Sequence, residues 1–75
     1  MEWQLSKSPG LNWQALVAVA IQRRKEQRLT QKQLAVLAGV SAPTVNNLEA
    51  GKTTLSVENV LKILKVLGLT EAASG

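Results

Sequence analysis

An all-α domain is what this sequence predicts, on three observations. Its apolar residues are aliphatic: apart from Trp3 and Trp13 there is no aromatic side chain, so Leu, Val, Ile and Ala must build the core, as in small helical domains. Those residues recur at steps of three and four in four separate stretches, the spacing of one-sided helices. Each stretch opens on a residue suited to an N-cap (Asn12, Thr30, Ser41, Ser56), and the last three close on a glycine (Gly39, Gly51, Gly68).

The elements follow in chain order. Residues 1–10 read as a separate N-terminal tail or short strand, because Ser8-Pro9-Gly10 breaks regular structure and Glu2 to Ser6 alternates polar with apolar. Asn12 is expected to cap a first helix over roughly Trp13 to Gln27, with Trp13, Leu16, Val17, Ala20 and Ile21 on one stripe. One further turn brings that stripe to Arg24, and a guanidinium on a buried face requires a carboxylate to meet it. Thr30, with Gln33 three residues later, has capping-box spacing and opens a second helix ending at Ala38, with Leu34, Ala35, Leu37 and Ala38 expected inward.

Ser41 caps a third helix, Ala42 to Ala50, with Pro43 in the first turn, where its missing N–H does no harm. Only Val40 separates Gly39 from that cap, and so short a connection between short helices forces a steep crossing. Ser56 caps a fourth helix through Leu67, with Val57, Val60, Leu61, Leu64 and Leu67 expected inward. Residues 11–69 thus form one folded unit, followed by a C-terminal tail, 70–75.

Composition narrows the function. A chain of 75 residues makes one small domain that buries only about 60% of its unfolded surface. The balance of 45% hydrophobic to 19% charged residues is enough to fold it. There is no Cys, no His and no Asp, which removes thiol nucleophiles, disulfides, Cys/His metal sites, imidazole bases and Ser-His-Asp arrangements. Glu2, Glu26, Glu49, Glu58 and Glu71 form no i,i+4 pair. An enzyme is not expected, and no metal or cofactor is implied. No run reaches the roughly eighteen apolar residues of a membrane span, and the first ten residues lack signal-peptide order, so no membrane association and a cytoplasmic location are expected.

The net charge is +4, and five of the nine basic residues (Arg23, Arg24, Lys25, Arg28, Lys32) fall within ten positions. Such a local positive field suits phosphate or another anionic surface, and equally a solvated helix end. The third helix separates the two. With Val45, Leu48 and Glu49 on its inner side, Ala42, Pro43, Asn46 and Asn47 face outward. A merely solvated face would carry Lys and Glu; short uncharged side chains, two of them amides able to pair with base edges, suit a surface pressed into a groove. Gly51-Lys52-Thr53-Thr54 imitates the end of a phosphate-binding P-loop, but the glycine required five residues earlier is Asn46.

From Gln31 to Glu49 the order is QKQLAVLAGVSAPTVNNLE. This stretch, with Leu29-Thr30 before it and Ala50-Gly51-Lys52-Thr53 after it, resembles the phage repressor and Cro, or XRE, family of helix-turn-helix DNA-binding proteins, over about residues 13 to 69. The resemblance implies a lambda-repressor-like domain of four to five short helices, whose third helix enters the major groove of double-stranded DNA. It implies that Ser41, Ala42, Pro43, Thr44 and Asn47 read bases, and Asn46 and Asn47 are expected to bond base edges. Gln31, Lys32, Lys52 and Thr53 would meet phosphates, and Arg24 and Glu49 would form a structural salt bridge between the first and third helices.

Two departures from the family pattern carry expectations of their own. Ala42 and Pro43 stand where amides and charged residues are common. Arg28 replaces the glycine usual before Leu29-Thr30, so a non-glycine residue is expected in a left-handed turn. The family relationship further implies a repressor acting as a homodimer on an inverted-repeat operator. The dimer contact is expected from the Trp3/Leu5 segment and outward-facing Ile63, Val66 and Leu69, with packing of the tail over the first helix as the alternative. The stretch Gly51 to Leu69 is also similar to HipB-like antitoxins, which would add a toxin protein as partner.

Overall fold

The structure, a computed structural model, describes residues 12–70. The expected N-terminal tail or strand lies outside the described residues, as does the C-terminal tail beyond Thr70. Four helices make up the described part: α1 (Trp13–Glu26), α2 (Gln31–Ala38), α3 (Ala42–Glu49) and α4 (Val57–Val66).

Each helix starts where a side-chain oxygen takes up an orphan backbone N–H. Asn12 accepts from the Ala15 N–H, Ser41 from Thr44 and Ser56 from Asn59. Thr30 and Gln33 form a complete capping box, the Thr30 hydroxyl accepting from the Gln33 N–H at 3.0 Å and the Gln33 side chain accepting from the Thr30 N–H at 2.9 Å.

The helix ends share one device. After each helix comes a residue with positive φ: Arg28 (59°), Gly39 (75°), Gly51 (82°) and Gly68 (74°). The next N–H then bonds back five residues, Leu29 to the Arg24 carbonyl, Val40 to Ala35, Lys52 to Asn47 and Leu69 to Leu64. Three positions use glycine, which has no Cβ to clash; Arg28 adopts the same turn against that clash.

The core is formed by Val17 and Ala20 of α1, Leu34 and Ala35 of α2, Val45 and Leu48 of α3, and Ile63, Leu64 and Leu67 from α4 and its C-cap. Full burial of a Leu or Ile side chain contributes about 1.5–3 kcal/mol, and truncating Leu48, 1% exposed, to Ala would cost about 2–5 kcal/mol. The small Ala35 lets α2 and α3 approach at their corner, and Gly39 turns the chain between them.

Six placements correct the sequence reading. Leu37, Val57 and Leu61, expected inward, are 61%, 73% and 50% exposed, and Ile63, expected outward, is fully buried. On α4 the apolar residues from Ile63 round to Leu61 cover an arc of roughly 160° at 100° per residue. That arc is wider than the neighbouring helices cover. Packing selects the side bearing Val60, Ile63, Leu64 and Leu67 and leaves the Val57/Leu61 edge in water. In α2, Leu34, Ala35 and Ala38 face the core, and Leu37 lies beyond the edge of that stripe. Val66 and Leu69, expected outward with Ile63, are half-buried against the same core.

Candidate nucleic-acid interface

The α2–α3 corner is pinned from behind by a polar cluster. Arg24 Nε donates to Glu49 Oε2 at 2.6 Å and Nη2 to Oε1 at 3.1 Å, while Nη1 donates to the Leu29 carbonyl at 2.8 Å. The two side chains are only 13% and 9% exposed, so the Arg24 position on the α1 stripe and the inner position of Glu49 on α3 meet as an ion pair. A forked, hydrogen-bonded pair of this kind satisfies both charges where water is largely excluded. Among the described residues no buried side-chain N or O lacks a partner.

From this cluster a chain of amides leads outward. Gln31, the first residue of α2, donates through Nε2 to Glu49 Oε1 at 2.8 Å, and its Oε1 accepts from Asn46 Nδ2 at 3.3 Å. Asn46 is exposed on the outer face of α3, so its amide is oriented by a side chain that is itself held by a largely buried carboxylate. Sequence reasoning missed this relay. Its signal is the placement of an amide at the start of α2 opposite an amide and an acid three residues apart on α3.

The outer face of α3 carries no charge. Ala42, Pro43 and Asn46 are exposed and Asn47 is half-buried. Ser41 and Thr44 have local duties: the Ser41 hydroxyl accepts the Thr44 N–H at 3.2 Å and shares a 2.7 Å hydrogen bond with the Thr44 hydroxyl. An α-helix with its side chains is about 10–12 Å across, and the major groove of B-DNA, roughly 12 Å wide, admits one.

A family model described as Helix-turn-helix matches residues 21–73. The chain belongs to this family, in its XRE type. It is similar to an HTH-type transcriptional regulator of Haemophilus influenzae, 39% identical over 56 residues, which is 75% of this chain and 57% of that protein. Another HTH-type transcriptional regulator, from Sinorhizobium fredii, is 49% identical over 45 residues, 60% of this chain and 59% of that protein. The chain thus spans somewhat under three fifths of the length of these curated relatives. No solved structure matches it significantly.

In this helix-turn-helix frame the basic residues divide. Arg23 donates to the Leu67 carbonyl at 2.8 Å and Arg24 holds Glu49, so two of the five clustered cations serve the fold. Lys25, Arg28 and Lys32 are exposed. Lys52 and Thr53 are exposed in the loop after α3, whose start is fixed by Trp13: its Nε1 donates to the Gly51 carbonyl at 3.1 Å. That tie from α1 to the loop was also missed, because a lone Trp in an apolar stripe reads as core. Among the described residues no helix is long and apolar enough to cross a membrane.

Proposed function

We propose that this helix-turn-helix domain binds double-stranded DNA sequence-specifically and regulates transcription, acting as a repressor. The observation that carries the reading is the relay Arg24–Glu49–Gln31–Asn46, which holds an exposed amide at a defined angle on a helix face with no charge. Amides in that setting suit the N6/N7 edge of adenine, and ordering them before binding lowers the entropy cost of recognition. In this reading Asn46 and Asn47 bond base edges, Ala42 and Pro43 touch thymine methyls or set the fit, and Ser41 and Thr44 hold the helix start against the groove. Gln31, Lys32, Lys52 and Thr53 position the domain on phosphates.

A single domain of this size on one half-site binds weakly, so a homodimer on an inverted repeat completes the proposal. Selection of bound duplexes from a random pool tests it. A recovered site with two-fold symmetric halves one helical turn apart supports the dimer, and a pool that stays random refutes sequence-specific binding.

One observation favours a second reading. Val36 is 74% and Leu37 61% exposed, and both line a shallow apolar groove on α2 with Leu29, Lys32 and Gln33. An apolar surface on the corner itself suits a protein partner, as in an antitoxin that masks a toxin and represses its own operon. A stoichiometric complex with the product of an adjacent gene, broken by Val36→Asp, tests that reading.

A further inference from the structure

Arg23 and Arg24 are used inside the fold, but Lys25, Arg28 and Lys32 are exposed, and among the described residues none of these three has a carboxylate at salt-bridge distance. Glu26, the nearest acid in sequence, is engaged elsewhere: it accepts from Gln22 at 3.1 Å and faces Arg23 at 3.9 Å. Of the three cations, Arg28 is the one whose backbone argues against its side chain. It holds φ at 59° in the turn between α1 and α2, a conformation that strains any residue with a Cβ and leaves glycine at ease. Among the described residues its guanidinium makes no hydrogen bond to offset that strain. A charged side chain kept at a strained position without an internal partner points to something the folded chain meets.

The position of the turn identifies that partner. Leu29, the next residue, is tied twice to Arg24: its N–H donates to the Arg24 carbonyl at 3.1 Å, and its own carbonyl accepts from Arg24 Nη1 at 2.8 Å. The turn is thus held by the same arginine that anchors Glu49, which gives Arg28 a rigid base. Three residues on, Gln31 opens α2 and its side chain reaches Asn46 on the outer face of α3. Arg28 therefore lies at most roughly 11 Å along the chain from Gln31, and the phosphates of one strand follow each other at about 3.4 Å of duplex axis. Lys32, next to Gln31 and exposed, continues the positive charge along the same edge.

We propose that the Arg28 guanidinium meets a DNA backbone phosphate beyond the one at Gln31, so that a residue costing the fold stability adds binding. The proposal rests on the DNA-binding reading above. A phosphate contact of this kind adds affinity to every sequence and selects none. Titrations of the full chain and its variants on a selected and a random duplex, between about 50 and 200 mM salt, test it. Arg28→Gln keeps the Cβ and removes the charge. For each domain bound, the magnitude of its salt slope should fall by about 0.9, and its affinity for both duplexes near 0.1 M salt by about eightfold. Arg28→Gly should lose the same affinity while its denaturation midpoint rises, binding and stability moving in opposite directions. Arg28→Lys, which restores the charge, should keep the slope. An unchanged slope in Arg28→Gln, or an equal loss in Arg28→Lys, overturns the role of Arg28, and binding of the selected duplex by the unaltered chain then leaves the DNA reading standing. An unaltered chain that binds no duplex at any of these salt concentrations overturns both.

Discussion

Arg24 on α1 and Glu49 at the end of α3 meet through a forked pair of hydrogen bonds, 2.6 and 3.1 Å long, largely shielded from water. This contact ties the first helix to the proposed reading helix, and Gln31 extends it to the exposed face. Glu49→Ala would leave Arg24 without its charge partner and Gln31 without its acceptor. The expected cost is about 3 kcal/mol, a fall in Tm of more than about 10 °C for a domain of this size. Replacing both partners, Arg24→Met with Glu49→Leu, should recover much of that loss, since no uncompensated charge remains. Thermal melts of the three variants check this, and a double variant less stable than Glu49→Ala would contradict it.

Arg28 holds φ at 59° in a turn where the other three helix ends use glycine. A left-handed conformation costs a residue with a Cβ about 1–2 kcal/mol, while glycine's greater freedom in the unfolded chain returns roughly 0.5–1 kcal/mol of that. Arg28→Gly should therefore stabilise the domain by about 0.5–1 kcal/mol. Denaturant titration reads this as a higher midpoint at unchanged slope; a lower midpoint would mean that the Arg28 side chain contributes more than its backbone costs.

Asn47 stands half-buried beside the oriented Asn46 on the uncharged face of α3. Asn47→Ala should cost about 1–3 kcal/mol on a selected duplex and little on random DNA. Competition titrations measure the ratio, and equal losses on both would remove Asn47 from base reading.

Lys52 is exposed in the loop that Trp13 fixes through Gly51. In its proposed role as a phosphate contact it would contribute to every duplex alike, so Lys52→Ala should weaken binding uniformly and lower the magnitude of the salt slope by about 0.9. An unchanged slope would place Lys52 away from the backbone.

Local chemistry made much of this protein legible in advance. Asn12, Thr30, Ser41 and Ser56 start the helices because each offers a side-chain oxygen to a backbone N–H within three residues, and Gly39, Gly51 and Gly68 end them because positive φ is cheap there. The short step from Gly39 to Ser41 implies the corner, and the uncharged outer face of α3 follows from its own spacing. Such features depend on neighbours in sequence, so the sequence alone determined them. Packing against the other helices selects which part of a broad apolar arc is covered. Ile63 went inward and Val57 and Leu61 outward because the available surface of α2 and α3 ended there. The relay from Glu49 through Gln31 to Asn46, and the tie from Trp13 to Gly51, likewise join residues 15 to 38 positions apart. Periodicity shows that such residues need partners; only packed helices in three dimensions bring the partners within hydrogen-bonding distance.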